Sequence, residues 1–587
     1  MDTMKTINVG FYAPTFEIQR SNRLKLDSIK ISSTPYYLQG YFRKNYPQYS
    51  ERVKWAPSLL MKMTAEEIVA FLEKNQIDVL CASLYIWNVT GILDVLKDVK
   101  SLYGKPLKIV VGGPSCDAAK DEWETKYSFI DHFVVGQGEK AWASLALDFL
   151  GVKELSEADT NIVHIFKKSD AVPIKKYEYE FVRGIHYSPY IECEDMIVEL
   201  KEVYKDYKLT WTYETQRGCP YHCSFCDWNG GQSNKTQKRK EINFIDEVDF
   251  LAKHGMYDLY LADANFGMWD VDVDIMKRMV EHKKNGHNFN FVSFNMSKNI
   301  NSNFKEIMKL MIEHDFNSVW IKLSVQDVHK NILDAIDRPG NWEESKQFGF
   351  ELYEEFGISK KLNKIFVELI LGLPEQTVES YIATLDEVYG NGFVPRTYPF
   401  FLLRNAPATY DMEYRAKYGI KDDMVYETLD MEPEGDTIQE LLSNPESNFV
   451  YQQIVSCNSF TERNLVEMTM LDQLYRVLLS RREWPARGFI DKNWHHLKPI
   501  IVDMIKTEDF KYVLDQRHKN FIEHKINAME GSHGKLLLNN IDMAAVVSRN
   551  FDIINDSFNS TKIDKENADI FLSVWNTFDR FKSYLDR

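Results

Sequence analysis

Three cysteines fall within eight residues in the segment RGCPYHCSFCDW: Cys219, Cys223 and Cys226. Thiolates are soft ligands that suit zinc, copper(I) and iron–sulfur clusters. A structural zinc wants four ligands, and His222 inside the segment could complete them. A [4Fe–4S] cube ordinarily takes four cysteines. Three from one short loop leave one iron open, and an open iron can bind a further molecule. That asymmetry suggests chemistry rather than mere structure. The remaining cysteines, Cys81, Cys116, Cys193 and Cys457, are scattered. They read as small buried hydrophobes in a reducing compartment, not as a disulfide framework.

The elements around the trio say how it is positioned. It follows a strand candidate, LTWTYETQ, so its loop should lie over a barrel mouth at the strand's C-terminal end. Five more strand candidates follow: DLYLADANF, FNFVSFNM, SVWIKLSVQ, KIFVELILGLP and RTYPFFLLRN. Helical stretches such as FIDEVDFLAKHG and NFKEIMKLMIEHD separate them. Six such units are too few for an eight-fold barrel and enough for a partial one. Ahead of them, INVGFYAP, DVLCASLY, LKIVVGG and DHFVVGQ read as strands alternating with helices. One of those helices opens with a capping box, Thr64 with Glu67. This pattern predicts a parallel sheet covered on both faces. Residues 15 to 60 interrupt it and look like an insertion. The fold class is therefore α/β. A doubly wound, Rossmann-like domain over 1–175 and a linker over 176–208 precede a partial (β/α)6 barrel over 209–424. A mostly helical domain follows over 425–587.

The trio, with its aromatic Phe225, resembles the signature of the radical S-adenosylmethionine (SAM) superfamily. The likeness extends over about residues 205–410. It implies that SAM chelates the open iron and is cleaved reductively to methionine and a 5′-deoxyadenosyl radical. It also implies an external electron donor such as flavodoxin or ferredoxin. By the same resemblance, Asp263 and Asn265 of LADANFG steady the amino and carboxyl groups of SAM. Ser324 and Gln326 of KLSVQD meet the ribose, and Gly372 and Pro374 of LILGLPEQT lie beside the adenine. Gly230 and Gly231 of DWNGG either approach the methionyl moiety or simply turn the chain. The basic run from Lys235 to Lys240 reads as a solvated loop.

The N-terminal domain is similar to the cobalamin-binding domain found ahead of the barrel in one radical SAM subclass. The resemblance assigns corrinoid contacts to Ser83, Tyr85, Trp87 and Asn88, then Gly112 and Gly113, then Gly136, Gly138 and Glu139. The loop after the first strand, PTFEIQRSNR, carries no histidine, so cobalamin there would lack a His ligand to cobalt. Together the two cofactors imply methylation of an unactivated carbon in a small-molecule or peptide substrate. Cyclisation, rearrangement or oxidation with a structural or degenerate corrinoid domain is one alternative. A zinc-binding interaction protein is another.

Composition narrows the field from outside. The net charge of −16 speaks against a general nucleic-acid grip. RREWPARGFIDKNWHHLKP is the sole suggestive basic stretch, and its His495 and His496 read as exposed bystanders. The sequence shows neither a membrane-length apolar run nor a signal-peptide pattern. A cytoplasmic location is expected.

Overall fold

A computed structural model of the chain describes residues 5–14, 29–85, 88–116, 127–134, 136–155, 162–164, 187–228, 236–239, 242–295, 297–316, 320–356, 364–403, 406–427, 449–479, 486–529, 546 and 550. It divides into two compact units. The first holds Met1–Pro220 and Asp227–Ser297, the second Tyr221–Cys226 and Lys298–Arg587.

In the first unit, β1 (Ile7–Tyr12), β2 (Ile29–Ile31), β3 (Val53–Trp55), β4 (Val79–Ser83), β5 (Lys108–Gly112), β6 (His132–Val134) and β7 (Ile162–His164) come first in the chain. Six of them form one sheet in the order β3-β1-β4-β5-β6-β7. Its strands run parallel except for β7, an antiparallel edge. Alternation along the central strands explains why both faces are covered. Leu80 and Ala82 of β4 and Ile109 and Val111 of β5 pack with Ile68, Leu72 and Leu96. Val79 and Cys81 of β4 and Val110 of β5 pack instead with Phe42, Trp142 and Phe149. The expected capping box is present: Glu67 N donates to Thr64 Oγ1, and Thr64 N to Glu67 Oε2.

The segment read as an insertion is an integral part of this unit. Its helix Thr34–Asn45 brings Leu38 and Phe42 into the core, and β3 becomes a sheet edge. β2 leaves that sheet altogether and pairs with β8 (Leu209–Tyr213). Three-residue strands carry too little periodicity to stand out in a sequence.

All six strands expected of the barrel form. β8 is followed by the two-residue strands β9 (Gln216–Arg217) and β10 (Gln237–Lys238), then β11 (Asp258–Leu261) and β12 (Asn290–Ser293). The parallel sheet of the first unit runs β12-β11-β8-β2. In the second unit β13 (Trp320–Gln326), β14 (Lys364–Leu371) and β15 (Val394–Pro399) form a parallel sheet of their own. The helical reading of the C-terminal region holds for Glu462–Leu479, Ala486–Lys506 and Glu508–Met529. It missed an antiparallel ribbon, β16 (Lys421–Glu427) with β17 (Phe449–Ser456), whose pairing is non-local and leaves no local helix-or-strand period. Among the described residues no helix is long and apolar enough to cross a membrane.

Candidate functional site

In each of the two parallel sheets one face is largely buried, and the other carries several polar, half-buried side chains. Trp211, Tyr213, Leu259, Leu261 and Phe291 are buried, whereas Lys30, Thr212, Asp258 and Tyr260 are less so. In the second unit Ile321, Leu323, Ile365, Val367 and Leu369 are buried, and Lys322, Ser324, Glu368 and Arg396 are half-buried. A parallel sheet usually reads apolar on both faces. A polar second face is what a ligand-lining barrel interior requires.

The cysteine loop begins in the first unit. β8 passes through Thr215 into β9, and Asp263, at the end of β11, holds that passage. Its Oδ1 accepts from Thr215 N at 2.7 Å and from Gln216 N at 3.2 Å, and its Oδ2 accepts from the Thr215 hydroxyl. Burial pushes the Asp263 carboxyl up to about 7, against the pull of nearby Lys238. Lys238 also pairs with buried Asp272, whose other oxygen accepts from Gly267 N. Asp263 thus organises the approach to the first cysteine.

Asn265 touches that cysteine directly. Its Nδ2 donates to Cys219 Sγ at 3.2 Å, with both residues buried. Its carbonyl accepts from Gln216 Nε2 at 2.8 Å, and Gln216 Oε1 accepts from Trp269 Nε1 at 2.7 Å. Asn265 Oδ1 is buried with no partner among the described residues.

Cys223 to Cys226 belong to the second unit. Ser224 anchors them: its N donates to Ile336 O, its O accepts from Ala408 N, and its hydroxyl lies 2.8 Å from Tyr414 OH. Phe225 meets Phe400 edge-on, with centroids 6.4 Å apart. Cys219 and Cys223 are buried, Cys226 is half-buried, and all three thiols are free of disulfides. His222 is exposed. Among the described residues no three His, Cys, Asp or Glu side chains gather as a single-ion site. Cysteine thiolates are the usual ligands of iron–sulfur clusters, and Cys219 carries an amide N–H on its sulfur.

At the end of β13 the register shifts between Ser324 and Gln326, and Gln326 has φ +72°. Bulges and left-handed non-glycine residues of this kind concentrate at functional sites. Ser324 Oγ donates to Glu368 Oε2 at 2.6 Å. Arg338 donates to the Gln326 side chain and to Ser324 O, while its Nη1, though buried, has no partner among the described residues. Neither Glu368 nor Arg338 was marked by sequence. The segment Asp337-Arg338-Pro339-Gly340 carries no motif, and only the return of the chain to β13 reveals it. Gly372 has φ +90°, and a Cβ there would meet Leu465 Cδ1 at 3.3 Å. Its close approach in this structure is therefore to the C-terminal helix. Gln376 Oε1 fixes the turn by accepting from Gly372 N and Leu373 N, beside buried Pro374.

The N-terminal residues also converge. Ser83 of β4 pairs in register with Gly112 of β5, which pairs with Val134 of β6, so these strands end at one level. Asn88 ties the first loop, accepting from Tyr85 N at 2.7 Å and donating to Ser83 O at 3.2 Å. Gly113 has φ +100°, and a Cβ there would lie 2.5 Å from Leu84 O. Gly136 and Gly138 lead into the helix Gly138–Phe149. Glu139 on that helix is buried and pairs with Arg217 Nη1 at 2.6 Å. Arg217 also pairs with Glu214 at 2.9 Å and lies 4.7 Å over the Tyr37 ring. Burial opposes its charge, but Glu139 and Glu214 hold its pKa well above the usual arginine value. Trp87, Gly230 and Gly231 lie outside the described residues, as does nearly all of the loop after β1.

Two expectations need correction. Lys238 and Arg239 of the basic run are not solvated: Arg239 forms a buried two-pronged pair with Glu247. The guanidinium fork fits a carboxylate, so two charges can be buried together. Of the scattered cysteines, Cys81, Cys116 and Cys193 are buried, and burial pushes the Cys193 thiol up to about 12. Cys457 is only half-buried, 3.1 Å from the Ser459 hydroxyl.

A Rossmann-like domain with glycine loops at its strand ends precedes parallel strands whose first loop carries three cysteines, an arrangement that suits a corrinoid and an iron–sulfur cluster. Comparison with known families agrees. The radical SAM superfamily matches residues 213–388 and the B12 binding domain residues 55–146. The chain therefore carries a region similar to the B12 binding domain followed by one similar to the radical SAM superfamily. It is 28% identical over 396 residues to "Cobalamin-dependent radical SAM methyltransferase TokK" of Streptomyces tokunonensis, covering 64% of this chain and 55% of that protein. It is 29% identical over 351 residues to "2-(S-pantetheinyl)-carbapenam-3-carboxylate methyltransferase" of Streptantibioticus cattleyicolor, covering 59% and 50%. The chain thus spans about half the length of these curated relatives. Among solved structures, the radical SAM methyltransferase TsrM of Kitasatospora setae shares the fold at TM-score 0.52 and 13% identity. That match covers 76% of this chain and 86% of TsrM.

Proposed function

We propose that the protein is a cobalamin-dependent radical SAM methyltransferase that methylates an unactivated carbon of a small-molecule or peptide substrate. The observation that carries this reading is the Cys219–Cys223–Cys226 loop at the end of β8, with Asn265 donating to Cys219. Cys219, Cys223 and Cys226 would hold a [4Fe–4S] cluster, which would supply the electron for reductive cleavage of SAM, and bound cobalamin would supply the methyl group.

The chain's own residues bind and orient. In the first unit, Asn265 Oδ1 is an unused acceptor suited to the ammonium of SAM. In the second, Arg338 Nη1 is an unused donor suited to a carboxylate. Ser324 and Glu368 offer hydroxyl and carboxylate groups to the ribose. Ser83, Tyr85, Asn88, Gly112, Gly113, Gly136 and Gly138 form the corrinoid rim, where backbone rather than side chain meets the ligand. The electron arrives from an external flavodoxin- or ferredoxin-like donor.

Anaerobic purification with iron, sulfide and cobalamin, then metal and corrinoid analysis and a deoxyadenosine assay, tests the reading. The wild type should hold iron and corrinoid and release deoxyadenosine when reduced with SAM. Cys223→Ala should lose the cluster and that release. Undiminished deoxyadenosine from Cys223→Ala would end the proposal. Deoxyadenosine without corrinoid would shift the chemistry to rearrangement or oxidation.

A further inference from the structure

We infer that Asn265 is a two-sided positioning residue. Its amide N–H sets the reduction potential of the cluster through Cys219, and its amide oxygen ties that setting to SAM. The inference deepens the function proposed above and rests on Cys219 being a cluster ligand.

The contact is direct and buried. Asn265 Nδ2 stands 3.2 Å from Cys219 Sγ, and Asn265 is fully buried. Hydrogen bonds to the sulfurs are one of the few protein levers on the potential of an iron–sulfur cluster. An N–H on a thiolate withdraws electron density and favours the more negative, reduced cluster. Burial raises the leverage, because a hydrogen bond is electrostatically stronger in a low-dielectric interior.

The backbone that carries the amide is also braced. Gln216 Nε2 donates to the main-chain Asn265 O, and Trp269 Nε1 donates to Gln216 Oε1. The main chain from which Asn265 reaches Cys219 is thereby held in place. Asn265 Oδ1 remains a buried acceptor without a partner among the described residues. An unmet buried acceptor is costly, and such groups persist where a ligand satisfies them. An ammonium at Oδ1 would polarise the amide and strengthen the N–H···S bond on its other end. The cluster would then be easiest to reduce when the molecule to be cleaved is in place, which limits wasteful reduction.

The test is an EPR-monitored redox titration of the cluster-loaded protein, with SAM affinity measured beside it. In Asn265→Leu, with iron and sulfide at wild-type levels, the reduced-to-oxidised ratio at a fixed poise should fall about tenfold, which is about 59 mV for one electron. SAM should bind more weakly. Asn265→Asp keeps the acceptor and loses the donor. Its potential should fall at least as far, while its SAM affinity drops less. An unshifted potential in a loaded variant would overturn the inference. A wild type without iron would instead sink the functional reading. Should neither variant load, pulsed EPR of reduced wild-type protein carrying 15N in its asparagine side chains decides. A weak nitrogen coupling is expected, and its absence overturns the inference.

Discussion

Arg338 and His329 show what a single side chain contributes in the second unit. Arg338 spends two of its nitrogens on the bulge at the end of β13 and keeps Nη1 unmet. Arg338→Ala should therefore weaken SAM binding by about tenfold to a hundredfold, in line with losing one charge-assisted hydrogen bond of about 1.5–3 kcal/mol. Isothermal titration of the cluster-loaded protein measures it, and unchanged affinity would remove Arg338 from the site. His329 Nδ1 lies 2.9 Å from buried Asp327 Oδ1, and that hydrogen bond raises the imidazole pKa. A histidine whose folded pKa exceeds its unfolded value of about 6.5 adds stability that is complete below that pH. This stability disappears as pH rises through the folded value. Urea unfolding should show wild type more stable than His329→Asn at about pH 6, with the gap closing in mildly alkaline buffer. A pH-independent gap would assign His329 a merely steric role.

Among the elements, β4 and β5 show how a strand end becomes a ligand rim. Leu84 N donates to Gly112 O at 2.7 Å and Ser115 N to Leu84 O at 3.1 Å, which seats one loop on the next. This is possible because Gly113 takes φ +100° and has no Cβ to strike Leu84 O. Gly113→Ala should cost about 3 kcal/mol or more, the upper end of backbone strain plus a steric conflict. Chemical denaturation should show that loss together with poorer corrinoid retention; a neutral effect would mean the loop can move aside. The element types in both halves were legible from sequence, because β4, β5, β11 and β14 are apolar runs bounded by glycine or polar turns. The assignments that went astray were short or non-local. β2 and β3 have three residues each, and the β16–β17 ribbon depends on pairing across a segment outside the described residues.

At the scale of the whole first unit, one ion pair joins two candidate sites. Glu139 sits on the helix that follows the proposed corrinoid rim, and Arg217 lies two residues before Cys219. Removing one partner of a buried pair strands the other charge, at about 3–5 kcal/mol. Arg217→Ala should accordingly lower stability by about 3 kcal/mol, and adding Glu139→Gln should restore part of it. Denaturant midpoints of oxygen-protected protein would show the coupling, and strict additivity would show the pair to be energetically idle. The resemblance to cobalamin-binding domains marks Glu139 as a candidate site residue. That it reaches the cysteine loop was not, since 78 positions separate the partners.

Local chemistry narrows what the candidate site could bind, and the resemblance of its motifs supplies the rest. Thiol spacing limits the metal, and glycine at strand ends limits the ligand, because both depend on a few bonds along one stretch of chain. The strand–helix order follows from periodicity for the same reason. Tertiary structure alone decided which polar groups are spent and which remain available. Asp263 is consumed by Thr215 and Gln216, Asn265 keeps an oxygen, and Arg338 keeps a nitrogen. Hydrogen-bond capacity is shared among groups distant in the chain, so its balance is settled only when folding brings them together.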